Sequence, residues 1–67
     1  MLKVNANYRM IDGDTCHIID IISKPTGNQV VYESQFAESL GKKECVMSYN
    51  SFVNGVLREE GVFGKLK

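Results

Sequence analysis

The stretch from Thr15 to Ser34 constrains the fold of this chain more than any other. Two runs rich in β-branched residues, 15–23 and 29–34, flank a short connection that contains the single proline, Pro25, and Gly27. Such runs joined by a Pro/Gly connection predict two adjacent antiparallel strands. The stretch therefore predicts a β-rich fold, and it says nothing about function.

The N-terminal residues continue this pattern. Apolar and polar side chains alternate over residues 2–10, which predicts a half-buried first strand. Asp12, Gly13 and Asp14 follow, and an Asp-Gly pair favours a two-residue hairpin turn. We therefore expect a hairpin between this strand and the strand over 15–23.

The second strand carries apolar residues on both of its faces. Strict alternation places Cys16, Ile18 and Ile22 on one face and leaves Ile19 and Ile21 on the other. Two readings remain open: a central strand, or a bend that changes which side is buried. A long, bent strand is how small barrels close.

Residues 35–43 are ambiguous. Phe36 and Leu40 have helical spacing and Gly41 could end a helix, but the same residues fit a long loop with two apolar anchors. We favour the loop. Residues 44–48 then predict a fourth, short strand.

A helix is predicted next, with Ser48 as the first candidate for its N-cap and Ser51 or Asn50 as the alternatives. Its apolar residues match the helical template at five positions: Tyr49, Phe52, Val53, Val56 and Leu57. Two acidic residues after Arg58 oppose the helix dipole, so we expect the helix to end near Arg58. Residues 61–65 predict the last strand.

These elements predict one domain over residues 1–67 of the mainly β class (β-rich α+β). Their order resembles that of a small SH3-like barrel of about five antiparallel strands, with one short helix before the last strand. The predicted core consists of Ile18, Ile22, Val30, Tyr32, Phe52 and Val56.

Composition disfavours several functional classes. Eight basic residues balance eight acidic ones, whereas nucleic-acid binders usually carry a basic excess. No apolar run is long enough for a membrane span, and the N-terminus lacks the apolar region of a secretory signal, so we expect a cytoplasmic protein. Cys16 and Cys45 are expected to be free thiols, and no metal or cofactor is expected.

No catalytic constellation stands out. His17 is the single histidine and reads as an ordinarily packed strand residue, although Cys45 could approach it across the sheet. Asp12 and Asp14 could bind a cation or act as an acid–base pair, but two acids around a turn glycine are typical of turn chemistry. A core this small leaves little room for a preorganised catalytic site, so we expect no enzyme.

Recognition residues are easier to nominate. Tyr8, Tyr32 and Tyr49 are candidate partner- or ligand-binding residues, because tyrosine is enriched at binding hot spots. The alternative is that all three belong to the core. Lys42, Lys43 and Arg58 are candidate anion contacts, with solvated surface positions as the alternative.

A series of short motifs spans most of the chain: Tyr8-Arg9, Gly13, Ile18-Ile19, Val30-Val31-Tyr32 and Phe52. On these residues the chain resembles a family of short uncharacterised bacterial and phage domains with an SH3-like barrel plan. Where that family usually has a histidine after Tyr-Arg and an Arg-Pro before the helix, this chain has Met10 and Ser48-Tyr49. The resemblance, the small size and the charge balance imply a bacteriophage accessory protein.

The leading functional hypothesis is a non-catalytic binding module that binds and modulates a host protein. The alternatives are a small oligomer that holds a nucleotide-like or other anionic ligand between protomers, and a nucleic-acid-binding barrel. We also expect a homodimer or higher oligomer, since a short chain exposes much apolar surface. Residues 2–10 and 61–65 are the predicted sheet edges for such pairing.

Overall fold

The computed structural model describes residues 2–62 of the 67-residue chain. Five strands and two helices occur in the order β1 (Ala6–Met10), β2 (Thr15–Ile22), β3 (Gln29–Ser34), α1 (Gln35–Ser39), β4 (Cys45–Ser48), α2 (Tyr49–Gly55) and β5 (Val56–Val62). The strands form one antiparallel sheet in the spatial order β4-β3-β2-β1-β5. The mainly β prediction is confirmed. Within the described residues, no helix is long and apolar enough to cross a membrane.

The sheet edges differ from the predicted ones. β1 is paired on both sides, with β2 and with β5, so the prediction that residues 2–10 form an edge is wrong. The edges are β4 and β5, and no ladder joins these two strands within residues 2–62. Most of the predicted last strand, 61–65, lies outside the described residues, and β5 begins earlier, at Val56. Barrel closure and homo-oligomerisation stay predictions.

The predicted hairpin of β2 and β3 is confirmed, and it contains a bulge. Ile18 pairs with Tyr32 and Ile21 pairs with Val30, so Ile19 is an extra residue in β2. A bulge reverses which side chains of a strand face the core. Ile21 therefore packs against the core, whereas Ile22 is 37% exposed. Both readings hold, because β2 is the middle strand of the sheet and also contains the bend. The prediction that Ile22 is a core residue is wrong.

The turn between β1 and β2 is longer than the predicted two-residue turn. Four residues, 11–14, separate the strands, and the Met10 N–H donates to the Asp14 carbonyl. The Asp12 carboxylate accepts the N–H of Asp14 at 2.9 Å, and Gly13 has a φ of +92°. The hydrogen bond between the Asp12 side chain and the Asp14 backbone favours this four-residue turn over a two-residue turn.

The loop favoured over residues 35–43 is wrong for its first half, which forms α1. Ser34 caps this helix, because its hydroxyl accepts the N–H of Ala37 at 3.2 Å. Gly41 follows the end of the helix with a φ of +88°, and its N–H donates to the Glu38 carbonyl. The cap and the terminal glycine together define a helix of five residues.

The helix predicted from Tyr49 is confirmed at its start and shorter than expected at its end. The Ser48 hydroxyl accepts the N–H of Ser51, as an N-cap does. α2 ends at Gly55, not near Arg58, because Val56 is extended and pairs with Met10 of β1. The helical spacing of Val56 is therefore coincidental.

The core is organised around Phe52, which is fully buried. Its ring meets Tyr8 edge-on at 6.0 Å between centroids and Tyr32 at 5.1 Å, the geometry that aromatic pairs favour. The prediction of buried Ile18, Val30, Tyr32 and Phe52 is confirmed, and Val56 is half-buried against them. Phe52 is thus the one fully buried side chain of α2, and Tyr49 of the same helix packs half-buried against this core.

Replacement of Phe52 by alanine is expected to lower the free energy of unfolding by about 3–5 kcal/mol, because it leaves a cavity at the centre of the core. Val53→Ala is the matched control, since Val53 lies on the same helix and is 43% exposed. Chemical denaturation of both variants is the measurement. Equal losses in the two variants would contradict the docking of α2 through Phe52.

The bulge at Ile19 predicts unequal effects at two neighbouring isoleucines. Ile21→Ala is expected to destabilise the protein more than Ile22→Ala, because Ile21 packs against the core and Ile22 faces solvent. Denaturation midpoints of the two variants give the comparison. A larger loss for Ile22→Ala would show that β2 alternates regularly and has no bulge.

Candidate functional site

The carboxylate of Asp14 is buried where β1, β2 and α1 converge. Its Oδ1 accepts the N–H groups of Thr15 at 2.8 Å and Phe36 at 3.1 Å. Its Oδ2 accepts the Ser34 hydroxyl and, at 3.6 Å, the Cys16 thiol. Four donors from three parts of the chain thus bind one side chain, which stabilises a charge that would be costly to bury alone.

Ser34 extends this network into the helix. Its hydroxyl donates to Asp14 and also accepts the N–H of Ala37 in the first turn of α1. The Phe36 N–H, one of the unpaired donors at the start of the helix, binds Asp14 directly. The position of α1 therefore depends on Asp14.

A cleft of about 340 Å³, which we call the Asp14 cleft, opens beside this network. Its floor consists of buried side chains: Met10, Asp14, Cys16, Tyr32 and Phe52. Its rim consists of more exposed residues from the β1–β2 turn, β4 and α2: Ile11, Asp12, Met47, Ser51 and Gly55. The volume and the apolar floor with few polar groups fit a binding site for an apolar group.

The charge of the Asp14 cleft is of one sign. Asp12 and Asp14 contribute two carboxylates, and none of the described residues lining the cleft is a lysine, arginine or histidine. All four donors to Asp14 are neutral, so hydrogen bonds stabilise its charge without cancelling it. The charges that line the cleft are therefore negative, and the Arg9 guanidinium, 3.2 Å from the Gly13 carbonyl, lies next to the turn without lining the cleft.

The Cys16 thiol and the Tyr32 hydroxyl in the floor favour their neutral forms. Burial first, and then the Asp14 charge, raises the pKa of the Cys16 thiol to about 12. Burial also raises the pKa of Tyr32 to about 12. Since the thiolate is the nucleophilic form of cysteine, Cys16 is a weak nucleophile at neutral pH.

His17 lies away from this cleft. It follows Cys16 directly in β2, so its side chain is on the opposite face of the sheet. It is buried there, and its Nδ1 is 2.7 Å from Oδ1 of Asn7, its cross-strand partner. Cys45 packs against the core on the other face, so the sheet separates Cys45 from His17. His17 has the ordinary packing that the sequence favours.

The three tyrosines nominated for recognition are tied to the interior. Tyr8 is 3% exposed and Tyr32 is 8% exposed, so both rings lie in the core. The Tyr8 hydroxyl accepts the N–H of Lys3, and the half-buried Tyr49 accepts the N–H of Leu2, both at 2.9 Å. The core alternative describes Tyr8 and Tyr32, of which Tyr32 also lines the Asp14 cleft.

The nominated cations are not brought together with the tyrosines. Lys42, Lys43 and Arg58 are exposed and do not line the Asp14 cleft. Arg58 is 3.2 Å from the carboxylate of Glu60, which also lies 3.6 Å from Arg9. An anion-binding role for these three residues stays a prediction.

A second cleft, of about 330 Å³, lies between the β2–β3 connection and the start of α2. Uncharged polar residues dominate its lining, with amides from Asn28, Gln29 and Asn50. Among the described residues that line it, the hydrogen-bonding groups are neutral and none is a lysine or arginine.

Sequence reasoning missed the residues that build the Asp14 cleft. Asp14 was assigned to turn chemistry, and Ile11 was not singled out. One signal was present in each case: Asp14 directly precedes a strand, and Ile11 is an apolar residue inside a polar turn. The sequence does not indicate that Ser51 and Gly55 line the cleft, because their position there depends on where α2 packs against the sheet.

Comparisons with known proteins find no matching family model, curated protein or solved structure.

Asp14→Asn is expected to lower the free energy of unfolding by about 1–3 kcal/mol. The NH2 group of asparagine replaces one carboxylate oxygen and cannot accept the hydrogen bonds that this oxygen accepts. Asp12→Asn is the matched control, since Asp12 is exposed and the amide oxygen can still accept the Asp14 N–H. Denaturation curves of both variants give the result. An Asp14→Asn protein as stable as the Asp12→Asn protein would contradict the role of Asp14.

The raised pKa of Cys16 predicts a loss of stability in alkali. The ordinary thiol value is 9.0 and the folded value is about 12, so between these pH values the unfolded chain releases a proton that the folded chain keeps. The contribution of Cys16 to the free energy of unfolding is fully present below pH 9.0. It falls as the pH rises toward about 12, by at most about 1.4 kcal/mol per pH unit.

Cys16→Ala should therefore show a shallower alkaline loss of stability, measured by denaturant titration at successive pH values. In this variant, part of the dependence of stability on pH remains, because the pKa of Tyr32 is also raised. Cys45→Ala, which removes the other thiol, is the control. The same slope in Cys16→Ala and in the parent would contradict this assignment.

Proposed function

We propose that the protein is a non-catalytic binding module that holds a segment of a partner protein in the Asp14 cleft. The observation that carries the proposal is the exposed Ile11, 68% accessible, at the rim of an open cleft whose floor is apolar. An exposed apolar side chain beside a preformed pocket is the arrangement found at the centre of many interfaces.

The chemistry of the cleft supports binding over catalysis. Cys16 is protonated at neutral pH because its pKa is raised to about 12, and the Asp14 oxygens are already bound to four donors. The histidine that could serve as a base, His17, lies on the other face of the sheet. Nucleophilic catalysis needs an activated nucleophile next to a base.

The partner proposed is a cytoplasmic host protein, and the chain is a phage-type accessory protein that modulates it by occupying one of its surfaces. This part of the proposal rests on the sequence resemblance and on the small size of the chain.

Ile11→Glu tests the binding site. Once a partner has been isolated by affinity capture with the parent chain, Ile11→Glu is expected to weaken its association by at least about tenfold, because the substitution places a charge at a hot-spot position. Isothermal titration with the purified partner gives the affinity.

Val46→Glu is the matched control for this experiment. Val46 is 59% exposed and lies on β4, on the face opposite to Met47, so the same substitution there leaves the cleft unchanged. Both variants should melt as the parent does. Equal losses of affinity in the two variants, or a loss in Val46→Glu alone, would overturn the assignment of the cleft as the binding site.

A further inference from the structure

The Asp14 cleft presents an acidic group to the surface as well as to the floor. Asp12 is exposed at the rim, next to Ile11, and one of its oxygens accepts the Asp14 N–H. That bond fixes the Asp12 carboxylate at the mouth of the cleft. A ligand that enters past Ile11 therefore passes a carboxylate before it reaches the apolar floor.

The buried charge of Asp14 adds to the negative charge of Asp12. Its four donors are two backbone N–H groups, one hydroxyl and one thiol, none of which carries a full positive charge. Charges in a poorly hydrated environment act over longer distances than charges in water. Asp12 and Asp14 together therefore favour a cation at the mouth of the cleft and disfavour an anion there.

The apolar part of the cleft can adapt to the shape of its ligand. Met10 and Met47 both line it, and methionine side chains are flexible and fill irregular spaces. Gly55 keeps the space beside Met10 open, since a β-carbon on Gly55 would lie 3.2 Å from Cε of Met10. Such a surface suits a flexible aliphatic side chain better than one rigid shape.

From these observations we propose that the segment bound in the Asp14 cleft carries a bulky aliphatic side chain next to a lysine or arginine. The aliphatic group contacts Ile11 and Met47, the more exposed apolar side chains of the lining, and the cation lies against the carboxylate of Asp12. This inference rests on the proposed function and adds the chemical class of the bound segment.

Three short synthetic peptides test the inference. They share a central leucine in a glycine–serine frame and differ in the residue beside it, which is arginine, serine or glutamate. Amide NMR spectra of the labelled protein are recorded during titration with each peptide. The arginine peptide should shift the signals of Ile11, Ser51 and Gly55 and bind at least about tenfold more tightly than the glutamate peptide, with the serine peptide between them.

Two further measurements test whether the difference in affinity between the peptides arises from the charge of Asp12. Added salt should reduce the difference between the arginine and glutamate peptides, because exposed charges are screened. Asp12→Asn should reduce that difference by about two- to fivefold, the range expected of an exposed ion pair. Asp20→Asn is the matched control, since Asp20 is an exposed acid of β2 that does not line the cleft, and it should leave the difference unchanged.

Equal affinities for the arginine and glutamate peptides would overturn the inference. So would shifts confined to β4, or no shifts with the arginine peptide at millimolar concentration. The proposed function is judged separately, by the loss of partner binding in Ile11→Glu. A protein that loses its partner in Ile11→Glu but does not discriminate the peptides has the proposed binding site and a ligand of different chemistry.

Discussion

The hydrogen bonds of the buried Asp14 carboxylate are the interaction on which the rest of the structure depends. They join the start of β2, through Thr15 and Cys16, to the start of α1, through Ser34 and Phe36. Burial of a charge without a cation is costly, and the four neutral donors offset that cost. The same arrangement leaves a negative charge under the cleft. One side chain thus places the first helix and also sets the charge of the surface beside it.

The existence of the cleft follows from the small size of the chain. α2 has seven residues and buries one of them, Phe52, against Tyr8 and Tyr32. α2 ends at Gly55, beside Met10, and the cleft between this helix and the β1–β2 turn is lined at its rim by the exposed Ile11, Asp12 and Ser51. Chains of this length bury only about 60% of the surface of the unfolded chain. In our account, the apolar surface left over is the binding site.

Much of the fold could be predicted from local patterns, whereas the site could not. β-branched runs around Pro25 indicate the β2–β3 hairpin, and the spacing after Ser48 indicates a helix with Phe52 facing inward. The bulge at Ile19 depends on how β3 pairs with β2, and alternation within one strand does not report it.

The first helix, α1, was not predicted because, like the bulge at Ile19, it depends on contacts with residues far away in the sequence. Five residues are too few to form a stable helix by propensity alone. α1 depends on bonds to Asp14, which is twenty positions before Ser34 in the chain.

A double-mutant cycle of Asp14→Asn and Ser34→Ala tests this dependence most directly. We predict a coupling energy of about 0.5–3 kcal/mol in the free energy of unfolding, as for residues that share one network. Losses that add to within about 0.5 kcal/mol would contradict the central place of Asp14.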